Sequence, residues 1–277
     1  MSERQCDNKN CNKEDCGSCP NRGRAVNPEA ELNSYSSIRK VIGVASGKGG
    51  VGKSTVTAML ARKLNTLGLK VGIMDADITG PSIPRLFNVK GELMDDSHGR
   101  GVVPLVSEEG IRIVSMNFLL KREEDAVLLR GPLLGSIVRQ FWTETFWGDL
   151  DCLLIDMPPG TGDIPLTLYQ SIPMDGVVVV TTPQDMVKMI VMKACDMAEK
   201  LNIPILGLVE NFSFFKCPDC GKMHRIFGEG NTDELAALLG TEVIARLPIM
   251  PDIAEMSRGR DMPETDIDID LITEGLL

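Results

Sequence analysis

The chain is short of positive charge. It sets 29 lysines and arginines against 39 aspartates and glutamates, a formal net charge of −10, and a protein that coats nucleic acid needs basic surface to neutralise phosphate. Long apolar runs are missing as well. The longest candidates, such as GVVVV at 176–180, fall far short of the roughly 20 residues that a membrane helix needs. The opening MSERQCDNKN lacks both the apolar core of a secretory signal and an arginine-rich, acid-poor transit pattern, so a cytoplasmic protein is expected, with neither membrane nor nucleic acid as a partner. No internal repeat is visible, and 277 residues leave room for one large α/β domain with small additions.

Cysteine, by contrast, is plentiful, with eight in the chain. In a reducing compartment, clustered cysteines read first as metal ligands or redox groups rather than disulfides. Cys6, Cys11, Cys16 and Cys19 stand in a C-x4-C-x4-C-x2-C pattern within residues 1–35, a polar segment that cannot build a core without a metal or a partner. That segment reads as an iron–sulfur site, a zinc site or a set of free thiols. Cys217 and Cys220 form C-x-x-C inside an excursion at 214–230 that breaks the strand and helix rhythm. Two thiolates at this spacing reach one metal but fill only half of its coordination. If two chains meet there, four thiolates converge, enough for a 4Fe-4S cluster; a zinc knuckle completed by His224 and a redox pair are the alternatives. Cys152 and Cys195 lie among apolar neighbours and read as packing residues.

From residue 40 the pattern becomes that of an α/β fold. KVIGVAS is strand-like, GKGGVGKST (47–55) follows it, and KSTVTAMLARKLNTLG places apolar residues at helical spacing as far as Gly68, a candidate C-cap. Further strand candidates lie at 70–77, 111–116, 151–158, 175–183 and 203–211, with helical stretches between several of them. Such alternation predicts a mostly parallel sheet with helices on both faces, and ligands then sit at the carboxyl ends of the strands. The glycine loop, in its strand-to-helix context, is a phosphate-binding loop. Gly47, Gly49, Gly50 and Gly52 let the backbone close on phosphate oxygens, with Lys48, Val51 and Thr55 completing the cradle. Lys53 neutralises the terminal phosphates and Ser54 holds Mg2+ through its hydroxyl. Asp156, ending LLID, completes the magnesium shell; Asp75 supports the metal, and Asp77 orients the attacking water. The guanine-reading pattern N-K-x-D occurs literally at 12–15, but ahead of the phosphate loop, where it cannot serve; ATP is therefore the expected nucleotide, with Asn211 reading the adenine edge.

GKGGVGKST, DADITGPSIP and DMPPGTGD, followed by VENFSFFKCPDCGKMH, resemble the Mrp/ApbC family of iron–sulfur cluster carrier ATPases, within the MinD-like deviant Walker A class. The resemblance covers about residues 38–262, and the N-terminal cysteines are similar to the eukaryotic-type scaffold branch, though with a different spacing. It implies that Lys48, the second lysine of the loop, crosses a homodimer interface to the partner's nucleotide. It also implies water activation at Asp77, Mg2+ at Asp156 and adenine at Asn211. The expected organisation is a cysteine-rich segment at 1–35, an ATPase domain at 36–262 and an acidic tail at 263–277, the tail serving as a short edge strand or a docking segment. The expected activity is that of a hydrolase that assembles a 4Fe-4S cluster between two chains and passes it to apoproteins. Its rivals are a spatial-organisation ATPase and an ATP-driven, cluster-bearing reductase.

Overall fold

A computed structural model describes residues 30–77, 82–119, 131–184, 188–250 and 267–276. At its centre is strand β1 (Ser37–Ser46), polar where it starts and buried over its last six residues. Parallel neighbours flank it on both sides, in the order β9 (Ile205–Lys216), β8 (Gly176–Thr181), β1, β7 (Asp149–Asp156), β2 (Val71–Asp75) and β6 (Arg112–Ser115). Antiparallel pieces close the two ends of this order: β5 (Leu105–Val106) lies beside β6, and β10 (Met223–His224) beside the end of β9. A further strand, β11 (Val243–Pro248), pairs in parallel with β9. A separate ribbon is made by β3 (Met94–Asp95) and β4 (Val102–Val103).

Both faces of the sheet are covered, as the sequence predicts. Successive residues of a strand point to opposite faces, so Val41 and Ala45 of β1 enter one core while Ile42 and Val44 enter the other. The first core is roofed by α3 (Gly131–Thr143), α4 (Asp163–Ser171), α5 (Lys188–Lys200) and α6 (Thr232–Leu238). The second is roofed by α1 (Lys53–Thr66) and the single turn α2 (Ile83–Leu86). Helix α1 buries Val56, Leu60 and Leu64, one residue per turn, and ends where Gly68 takes a left-handed φ of 82°. Cys152 and Cys195 are buried in the two cores, as expected of packing residues.

Two regions carry more structure than their sequence suggests. Strand β9 does not stop near Asn211 but runs on to Lys216, where β10 folds back against it, so the excursion at 214–230 begins as a β-hairpin. The acidic tail is a docked segment rather than an edge strand. Its alternation turns Ile267 and Ile269 into the second core and leaves Asp268 and Asp270 exposed, and a one-turn helix, α7 (Asp270–Thr273), follows. Arg39 donates to the carbonyls of Gly275 and Leu276 at 2.8 and 3.1 Å, and Lys40 to those of Leu271 and Glu274 at 3.1 and 3.0 Å. These cations satisfy carbonyls that the end of a helix leaves without partners. At the other terminus, Ala30 already packs on the domain: its N–H donates to Ser171 and its carbonyl accepts from the Trp142 indole. Cys6, Cys11, Cys16 and Cys19 lie outside the described residues.

Candidate functional site

The glycine loop joins the carboxyl end of β1 to α1, where sheets of this kind place their ligands. Gly50 and Gly52 have φ of 77° and 82°, in the left-handed region that glycine enters at little cost. Gly47 is required for a different reason. A side chain there would begin 2.9 Å from the backbone of Ile190, so α5 packs directly on the loop. No side chain caps the first turn of α1, and the N–H groups of such a turn, with the positive end of the helix behind them, form an anion site. The loop walls a cleft of about 500 Å³, which Lys53, Ser54, Asp77, Arg85 and Pro159 also line.

Beneath the loop lies an acidic cluster. Asp75 and Asp156 are register partners at the ends of β2 and β7, and both are buried. Asp156 accepts from Lys53 Nζ at 2.7 Å, Ser54 Oγ at 2.6 Å and Thr57 Oγ1 at 2.9 Å. Lys53 Nζ also stands 3.3 Å from Asp77 Oδ2. Burial works against the charge on Lys53, but Asp156 and then Asp77 outweigh it and raise the pKa above 10.5. Asp75 accepts from Ser115 Oγ at 2.9 Å and from the Asp77 N–H at 3.2 Å. Burial first, and the Asp156 charge second, push its carboxyl well above 3.8. Three carboxyl groups thus surround one ammonium, so the cluster holds more acid than base.

A hard divalent cation fits these donors. The Ser54 hydroxyl and the Asp156 carboxylate already meet, and all the candidate ligands are oxygens. Among the described residues no three acidic, His or Cys side chains are grouped closely enough to hold a metal by themselves. That suits Mg2+, which takes one or two carboxylates and completes its shell with substrate phosphates and water.

Lys48 also lines the cleft, its Nζ 2.7 Å from Gln184 Oε1. Asn211 is buried, and its amide donates to the Val51 carbonyl of the loop at 2.9 Å. The asparagine expected at the adenine edge thus grips the loop. Thr57, Ser115, Arg85 and Gln184 were not expected at the site. Thr57 follows Lys53 by one helical turn and so shares its face, a spacing that was an available signal; Ser115 is the register partner of Asp75 on β6, a pairing that only the fold shows, and Gln184 carried no signal.

The second candidate centre is the β9–β10 hairpin. Cys217 and Cys220 stand in its turn, closed by bonds from Cys217 N–H to the Lys222 carbonyl and from Gly221 N–H to the Cys217 carbonyl, both 2.9 Å. The N–H groups of Cys220 and Asp219, together with the Cys220 thiol, lower the pKa of the Cys217 thiol. Such donors stabilise a thiolate, the form that binds metal. His224 sits on β10 and does not group with the two cysteines into a metal site. Exposed Met223, Ile226 and Phe227 come after the pair in the chain.

A phosphate loop on a mostly parallel sheet, with acids from the neighbouring strand ends beneath it, defines a P-loop NTPase. The chain belongs to the ParA family, whose model, described as NUBPL iron-transfer P-loop NTPase, matches residues 37–269. The iron-sulfur cluster carrier protein of Clostridium perfringens is 47% identical over 252 residues, covering 88% of each chain. That of Methanocaldococcus jannaschii is 42% identical over 254 residues, covering 88% of this chain and 85% of its own. Among solved structures, a nucleotide-binding protein from Archaeoglobus fulgidus in complex with ADP superposes with a TM-score of 0.71 at 41% identity, covering 83% of this chain and 95% of that one. The septum site-determining protein MinD of Pyrococcus horikoshii, complexed with Mg-ADP, has a TM-score of 0.54 at 22% identity over 80% of this chain and 85% of its own, a likeness of fold.

Proposed function

We propose that the chain is an ATP-dependent carrier that assembles a 4Fe-4S cluster between two copies and transfers it to apoproteins. The observation that carries this reading is the hairpin: two thiols in one tight turn, one of them biased toward thiolate, with no third metal ligand grouped beside them among the described residues. A second copy would supply the missing pair. The names of the relatives, iron-sulfur cluster carrier proteins at 47% and 42% identity, support the cargo. The tail favours this reading over a membrane-organising ATPase, because Ile267, Ile269, Ile272 and Leu276 are buried in the core.

In this reading Lys53 exchanges Asp156 and Asp77 for the β- and γ-phosphates of ATP, cradled by Gly47, Gly49, Gly50, Val51, Gly52 and Thr55. Ser54, Asp156 and Asp75 are then available to Mg2+, which neutralises phosphate charge when bound. Asp77, released from Lys53, orients the attacking water; Asn211 reads adenine; Lys48 reaches the phosphates held by the other copy. Cys6, Cys11, Cys16 and Cys19 form a separate cysteine-rich segment able to hold a second cluster. The proposed domain limits are 1–35, 36–262 and 263–277, for the cysteine segment, the ATPase and the tail.

The test is anaerobic reconstitution with iron and sulfide of full-length protein in which Cys6, Cys11, Cys16 and Cys19 are serine. It should bind about one 4Fe-4S cluster per two chains, and adding Cys217→Ser and Cys220→Ser should abolish it while ATP still binds. A full cluster spectrum in the six-fold variant refutes the bridging site.

A further inference from the structure

Strand β9 touches both candidate sites. At Asn211 the side-chain amide spans two backbones: Nδ2 donates to the Val51 carbonyl of the phosphate loop, and Oδ1 accepts from the N–H of Phe212 at 2.9 Å. Phe212 has a φ of 60°, a left-handed conformation that a bulky side chain seldom adopts. Its ring tip comes within 3.8 Å of the point where a side chain on Gly52 would begin. Here β9 also leaves the register of its neighbour. Glu210 and Phe214 pair with Arg246 and Pro248 of β11, so β9 carries extra chain between them. A bulge of this kind bends the strand and re-aims the residues beyond it.

Beyond this bulge lies the thiol hairpin. From Phe212 the strand runs without a turn to Lys216, and Cys217 is next. The base of the bulge is pinned by the buried Glu210 carboxylate, which accepts from Ser213 Oγ at 2.6 Å and from the Thr232 hydroxyl. Thr232 opens α6, to which the chain returns after the excursion. The bulge is therefore fixed at Glu210, tied to the phosphate loop at Asn211, and continuous with the hairpin on its far side.

We infer that Phe212 and Asn211 are positioning residues that couple the nucleotide loop to the cysteine hairpin. This rests on the reading of those two sites given above. A phosphate loop that tightens on a nucleotide displaces the Val51 carbonyl, and Asn211 moves with it. The left-handed residue beside Asn211 sets the direction in which the strand departs, so the displacement reaches Cys217 as a change in its surroundings. Coupling of this kind is reciprocal: a ligand on the hairpin alters nucleotide affinity by the same factor. Glycine at 212 weakens the transmission, because many backbone conformations become equally accessible there.

The experiment needs no cluster. Full-length reduced protein is pulsed anaerobically with iodoacetamide, with and without Mg-ADP at roughly ten times each protein's own Kd, and modification at Cys217 is tracked by peptide mass spectrometry. ADP should change the Cys217 rate of the parent by about fivefold or more, and that of Phe212→Gly and Asn211→Ala by less than about twofold. Hydrogen exchange across 214–224 should show the same loss of response. An unresponsive parent, or variants that bind ADP and keep the full response, would overturn the coupling. So would a response confined to concentrations at which sedimentation finds dimers, since it would then come from contact between copies. Failure of the cluster reading appears elsewhere, as a full cluster spectrum in the variant that lacks all six of Cys6, Cys11, Cys16, Cys19, Cys217 and Cys220.

Discussion

Lys53 has two roles that one substitution separates. It is the cation proposed to meet the terminal phosphates, and it is also the ammonium that holds the buried Asp156 and the adjacent Asp77. Lys53→Ala should therefore lower ATP hydrolysis by at least about 10²-fold, as expected when a positioned charge is removed from a transition state. It should also destabilise the free protein by about 3–5 kcal/mol at neutral pH, because Asp156 loses its ion partner in a buried position. Urea unfolding checks the second effect; hydrolysis near the parent rate would remove the phosphate-loop assignment. The thiols give a second residue-scale test. Burial, the main cause in each, pushes the Cys152 and Cys195 thiols up to about 12, so at pH 8 only about one in 10⁴ is thiolate. Cys217, lowered by two N–H groups, should be alkylated ahead of Cys152 and Cys195 in the native protein. Modification of Cys152 ahead of Cys217 would mean that the core opens more readily than the hairpin.

Elements that depend on local pattern were legible before the fold was known, and those that depend on a distant partner were not. The glycine loop, the continuous apolar runs of β1 and β8, and the helical spacing of α1 are written within about a dozen residues each, so their type and order were read correctly. Strand β11 and the docking of the tail are fixed by contacts with remote chain, which no short window contains. Asn211 shows the same limit within the site. Its bond to Val51 joins residues 160 positions apart, so the sequence offered only the adenine role. The tail illustrates the energetics. Ile272 is fully enclosed in the second core, beside strands and helix formed by chain far upstream. Ile272→Ala should cost about 2–5 kcal/mol through lost transfer energy and the cavity left behind. If the urea midpoint does not move, the tail contributes nothing to the core it covers.

At the scale of the whole molecule, the question is what a second copy would add. Lys48 reaches no acidic partner in its own chain among the described residues: its ammonium bonds to Gln184, a neutral contact at the surface that is readily exchanged. Beside the loop, α5 leaves Met189, Ile190 and Met192 exposed, an apolar border to a charged cleft. Both features suit a dimer in which each nucleotide is completed by the opposite Lys48. Symmetry then makes a sharp prediction. Lys48→Ala and Lys53→Ala should each be inactive as homodimers, the first lacking the crossing lysine at both sites and the second the cradle lysine at both. In a mixed dimer, the site built on the Lys48→Ala chain keeps its own Lys53 and receives Lys48 from the other chain, so one site works. An equimolar mixture should therefore recover about a quarter of the parent rate, half of the dimers being mixed and each holding one competent site of two. Activity after subunit exchange, with sedimentation to confirm mixing, decides the matter; a mixture that yields only the sum of its two parents would show that Lys48 acts within its own chain.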